Sequence, residues 1–305
     1  MIKNNTNLYK DTSFNENFIM NNEDLYNETH NVEFTNVVFE KNAIFDNICF
    51  EKNITFKNCK FKGEVSFKSC IFYGEVIFKN VKFNDYLTSK KVFMNSRLYG
   101  QKILFENIKN IPRLDGFIFS QCSKVLLKNI DYKKADYENA KINYRIAKNQ
   151  CNTTGNYEMV SIYYYKERYY GGKGLKKEEF TSDYQYFKTK FLDFLSRVIF
   201  GYGERPINVF LISFIIISIF AIFYFVVGVK NNGVLVKINY VKNKNELFKY
   251  YIDLWYFSMI TFSTVGYGDI TVVSDFGKIL VSIEVFLGVT MGATWASVIF
   301  RKMSR

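Results

Sequence analysis

The chain has 305 residues, room for about two domains, with 19% aromatic residues and only two prolines. Its net charge of +12 is dispersed along the chain, which argues for a solvated surface near anionic lipid and against a nucleic-acid partner. Five cysteines without C-x-x-C spacing, a single histidine and the lack of any triad, metal cluster or phosphate loop argue against an enzyme and against a cofactor.

Residues 1–31 are rich in Asn, Asp and Glu and read as a poorly ordered lead or an atypical cap; His30 within them reads as a surface residue. No apolar h-region follows Met1, so this part is expected to stay in the cytoplasm. From Phe34 a repeat begins, with phenylalanine at 34, 39, 45, 50, 56, 61, 67, 72, 78 and 83 in alternating steps of five and six. A small or β-branched residue precedes most of these by two positions: Val37, Ala43, Ile48, Ile54, Cys59, Val65, Cys70, Val76 and Val81. Neither a helix nor a simple strand has this period. The pattern resembles pentapeptide-repeat proteins, which implies a right-handed four-sided β-helix with 22 residues per coil, Phe34 under Phe56 and Phe78, and Cys59 and Cys70 inside and apart. The solenoid is expected over 32–131, with an irregular connection near Pro112; Cys49, Cys59, Cys70, Cys122 and Cys151, all in the part expected in the cytoplasm, read as reduced packing residues. A ligand or protein partner on it is left open.

The spacing of Tyr137, Ala140, Tyr144 and Ala147 predicts a helix that Thr154-Gly155-Asn156 breaks. A second run, Met159 to Tyr170, stops before Gly171-Gly172, giving a helical hairpin within 132–182. Residues 183–206 hold an amphipathic helix, Tyr184 to Phe200, for the inner membrane surface, and a turn at Gly201-Tyr202-Gly203. Ile207 to Val229 runs 23 residues without a charge, enough at about 1.5 Å per residue to cross a bilayer core of roughly 30 Å. A second span, about Ile279 to Phe300, contains Glu284, which should face protein or water because burial in lipid is costly.

Between the spans, Tyr251 to Phe262 reads as a pore helix too short to cross, followed by Thr264-Val265-Gly266-Tyr267-Gly268-Asp269. Gly266 and Gly268 can take positive φ, while Val265 and Tyr267 brace the strand, so successive carbonyls can turn to one side and replace the water around a cation. This stretch resembles the potassium-channel selectivity filter, and 207–305 resembles a two-span pore. The whole is identified as a member of the bacterial pentapeptide-repeat potassium channels, a multi-domain membrane protein. The resemblance implies K+ as the permeant ion at Thr264, Val265, Gly266 and Tyr267, an acidic outer mouth at Asp269, Trp255, Tyr256 and Phe257 behind Tyr267, and a homotetramer in the lipid bilayer. It also implies a hinge glycine at Gly288, with Val289, Gly292 and Ala296 lining the cavity; the rival role of the glycines is close helix packing. Ile260 stands where many relatives have an acid behind the filter. Both termini are expected inside the inner membrane. A weakly selective cation channel and a membrane-tethered scaffold with a vestigial pore are the alternatives.

Overall fold

The computed structural model describes residues 8–22, 31–84, 91–231, 233–238 and 244–303; His30 lies outside them. The chain divides into two units between Phe191 and Leu192.

The first unit is a β-solenoid of about five turns followed by helices. On one side, strands Leu8–Lys10, Val32–Thr35, Ile54–Lys57, Val76–Lys79, Lys102–Lys109 and Lys124–Asp131 form a parallel ladder. Register pairs Phe34 with Phe56 and Phe56 with Phe78, so identical rings stack with centroids 4.8 and 5.0 Å apart. Further ladders run from Phe39 through Phe61 to Phe83 and from Phe45 through Phe67 and Phe93 to Phe117. Because side chains alternate across each short strand, every inward Phe and its small partner two residues earlier face one core, and all are buried. Cys59 and Cys70 sit there unbonded to each other, and burial pushes their thiols up to about 11 and about 12. Two expectations about the cysteines need correction: Cys122 is exposed and Cys49 only half-buried, because both lie at outward positions.

The corners depend on residues that the apolar pattern does not reveal. Asn36, Asn58, Asn80, Asn107 and Asn129 each take φ between 50° and 56°, a conformation that Asn tolerates. The last four each donate the side-chain amide to the side-chain carbonyl oxygen of the Asn one coil below, at 2.9–3.1 Å, and Asn36 donates to Asp11 at 2.8 Å. The ladder also measures the coils: its steps are 25, 22, 22, 27 and 22 residues. The first and fourth therefore depart from the expected 22.

Strands also form where a lead or cap was expected. Leu8–Lys10, Ser13–Phe14 and Phe18–Ile19 pair in parallel with the next coil, and Tyr9 stacks on Phe34 at 4.6 Å. At the other end, helices α1 (Tyr137–Thr153) and α2 (Tyr157–Lys173) cover the last coil. Tyr163 accepts from the Leu127 amide at 2.9 Å, Gln150 donates to the carbonyls of Ser120 and Ser123, and Asn143 donates to that of Pro112. These bonds satisfy backbone groups that a seventh strand would otherwise take. Helix α2 runs through Gly171-Gly172 rather than ending before them, since packing on α1 outweighs glycine's poor helix propensity.

Helix α3 (Asp183–Phe200) carries exposed Tyr184, Phe187, Phe191, Phe194 and Val198. The second unit contains α4 (Pro206–Val227), α5 (Lys244–Phe262) and α6 (Asp275–Met303), mutually packed. Helices α4 and α6 are long and apolar enough to cross a membrane. Helix α5 begins well before the expected Tyr251: Glu246 in its first turn suits a helix N-terminus, and no glycine or proline interrupts it. The connection after α4 contains strands Val229–Asn231 and Val234–Val236, antiparallel, and the first also pairs with Ile270–Val272.

Candidate selectivity filter

Helix α5 stops at Phe262, and the segment from Thr264 to Asp269 leaves its C-terminal end. The φ angle is positive at Thr264 (61°), Gly266 (52°) and Gly268 (82°) and not at Val265 or Tyr267. Alternation of this kind is what allows successive peptide planes to turn the same way and one edge of a segment to present carbonyl oxygens in a row. The two glycines take these angles without a Cβ penalty. Thr264 bears that strain with a β-branched side chain, which the sequence reading did not anticipate.

Both ends of the segment are fastened. The Ile260 carbonyl accepts from the amides of Val265 (2.9 Å) and Gly266 (3.2 Å), and the Thr261 carbonyl accepts from Thr264 (3.0 Å). Beyond Asp269 the chain enters Ile270–Val272 and its pairing with Val229–Asn231. Asp269 lies close enough to Tyr256 for the two side chains to interact. From Ser263 to Asp269 every residue is exposed in the single chain, Tyr267 at 72%.

The expected aromatic backing of Tyr267 is different within one chain. Trp255 donates its indole N–H to Ser218 of α4 at 3.2 Å, and Phe257 packs edge-on to Tyr224, also of α4. Their position on α5 aims both at α4, whereas Tyr256 interacts with Asp269 at the C-terminal end of the segment.

Glu284 does face protein. Its carboxyl is buried behind α5, receives the Tyr224 hydroxyl at 2.6 Å and meets the Ser258 hydroxyl. An acid thus lies behind α5 although Ile260 supplies none; α6 contributes it. The exception in an apolar span was the legible signal, while its partners Tyr224 and Ser258 carried none.

Helix α6 is continuous through Gly288 and Gly292. Gly288 is buried against the end of α5, where a Cβ would fall onto the Phe262 carbonyl oxygen, so close packing by itself requires this glycine. Nothing lies within 4 Å of a Cβ at Gly292, which shares an exposed helix face with Val289 and Ala296. At the opposite end of α6, Arg301 reaches the turn before α4: its guanidinium donates to the Gly203 carbonyl and lies 3.4 Å from the Glu204 carboxylate. Tyr202, at φ 55°, donates to Asp193 at 3.1 Å. Gly201-Tyr202-Gly203 is therefore a turn, as its flanks imply, but one built into the packing around the C-terminal end of α6.

Among the described residues, no group of His, Cys, Asp and Glu is arranged to hold a metal. A family model described as an ion channel matches residues 210–305. Neither a curated protein nor a solved structure matches the chain. The C-terminal part of this membrane protein is an ion-channel domain of the two-span type, joined in one chain to an N-terminal β-solenoid consistent with pentapeptide repeats.

Proposed function

We propose that four copies of the chain surround one axis and conduct K+ passively across the inner membrane, with the carbonyls of Thr264, Val265, Gly266 and Tyr267 as ion sites and Asp269 at the outer mouth. The observation that carries this reading is the alternation of positive φ through Thr264-Val265-Gly266-Tyr267-Gly268 at the C-terminal end of α5. One chain offers a single row of carbonyls and leaves it open to solvent, and a dehydrated cation needs oxygens on all sides. The C-terminal end of α5 adds negative potential where a cation would wait. Val289, Gly292 and Ala296, small or modest in size and exposed in the single chain, line the inner cavity in this reading.

Both termini lie in the cytoplasm, and the exposed aromatic residues of α3 rest at the inner lipid interface. The solenoid modulates opening through α3. Flux from proteoliposomes of the purified protein in K+ against Na+ tests the central claim. Strong preference for K+ is expected. Equal flux of both ions would leave the weakly selective cation channel, and absence of flux the scaffold with a vestigial pore.

A further inference from the structure

Helix α6 holds α5 at two points in matching register. Glu284 meets Ser258, and four residues later Gly288 meets Phe262, itself four residues after Ser258. Four residues is about one helical turn, so one buried stripe of α6 runs along one stripe of α5 up to the point where the filter segment begins. Tyr224 brings the first span into the same contact.

The donors and acceptors in this cluster can be counted. Ser258 Oγ meets Glu284 Oε1 and also lies 2.9 Å from the backbone carbonyl oxygen of Ile217. A serine hydroxyl has one proton and a carbonyl has none to give. With an ionised carboxylate, Ser258 would face two acceptors and could satisfy one. With a carboxylic acid every contact closes: Oε1–H donates to Ser258 Oγ, Ser258 donates to the Ile217 carbonyl, and Tyr224 donates to Oε2. Among the described residues the carboxyl's hydrogen-bond partners are the hydroxyls of Ser258 and Tyr224, neither of them a cation. An uncompensated charge at a fully buried site is strongly disfavoured.

We infer that Glu284 is held as a neutral carboxylic acid and acts as the positioning residue of the pore, clamping α5 between both spans and so setting the placement of the segment that starts at Thr264. The inference rests on the channel reading for its consequence, but not for the protonation state.

Two measurements test it. Infrared difference spectroscopy of the purified full-length protein, wild type against Glu284→Gln, should show the carbonyl stretch of a protonated carboxylic acid in the wild type alone. Its absence would overturn the neutral acid, whether or not the protein conducts. In proteoliposomes, Glu284→Gln should keep the K+ over Na+ flux ratio and open fraction within about twofold, because an amide donates to Ser258 and accepts from Tyr224 as the acid does. Ser258→Ala strands the Glu284 proton and should lower the open fraction roughly tenfold, the scale of a buried group left unsatisfied. A loss with Glu284→Gln equal to that with Ser258→Ala would mean that the negative charge matters, and would sink the proposal. Unchanged open fraction in Ser258→Ala, with tetramer yield also unchanged, would remove the positioning role.

Discussion

The solenoid and the pore unit treat their apolar residues in opposite ways. In the solenoid each coil covers the one below, and the helical hairpin closes the last, so its stacked phenylalanines are buried within a single chain. In the pore unit Phe223, Phe276, Phe286 and Tyr267 are exposed, and so is the whole candidate filter. A repeat that stacks on itself is stabilised by its own neighbours along the chain. In the proposed tetramer, a pore built from one quarter per chain leaves its faces for lipid and for other copies. Damage to the first should therefore stay local, while damage to the second should be felt in assembly and conduction.

The sharpest test of that contrast is Phe56→Ala. Phe56 is fully buried between Phe34 and Phe78, and large-to-small changes at such sites cost about 3–5 kcal/mol. Denaturant unfolding of the full protein in detergent should show an early transition for the solenoid, with the K+ over Na+ flux ratio of the remaining folded protein unchanged. A changed ratio would break the separation between the two units.

What could be read in advance divides along similar lines. The Phe spacing of five and six encodes a coil directly, so the solenoid was legible, and the alternation of positive φ falls on the glycines of a motif that is local in sequence. The first coil was not, because its aromatics Tyr9, Phe14 and Phe18 fall outside the regular step and its length is 25 rather than 22. The Asn corners recur two residues after Phe34, Phe56, Phe78, Phe105 and Leu127, a signal present but hidden by attention to apolar positions. Partners of Glu284 could not be read at all, since Tyr224 and Ser258 are 60 and 26 residues away and meet it only through the packing of three helices. The hinge reading of Gly288 weakened for the same reason: its neighbour Phe262 is visible only once α5 and α6 are packed.

Gly288→Ala comes next in size. The added methyl meets backbone rather than a flexible side chain, so the helices must separate, at about the 1–3 kcal/mol of an overpacked core or more. Tetramer yield and flux should fall together. Lowered open probability with full yield and unchanged single-channel conductance would instead restore the hinge. Gly268→Ala asks a smaller price, about 1–2 kcal/mol for a side chain at φ 82°, with no Cβ clash within the chain. Its effect should appear as lost K+ conduction in a protein that still assembles; retained conduction would argue that this backbone is not the ion path.

The smallest effect is expected at the solenoid's polar edge, and it separates two causes that coincide there. Asn58 sits at φ 53°, donates to Asn36 and accepts from Asn80. Asn58→Gly keeps the backbone angle at no steric cost and removes both side-chain bonds. Asn58→Ala removes the same bonds and also places a Cβ-bearing residue without a stabilising amide in the left-handed region, at roughly 1 kcal/mol more. Exposed hydrogen bonds exchange with water, so the glycine variant should lose well under about 1 kcal/mol in the solenoid transition, and the alanine variant about 1–2 kcal/mol. If the two variants lose the same amount, the ladder of amides rather than the corner angle stabilises the edge. If the glycine variant is as stable as wild type, the asparagines serve the turn and the amide ladder is incidental to it. In either case the flux ratio should not move, because this edge belongs to the unit that completes itself within one chain.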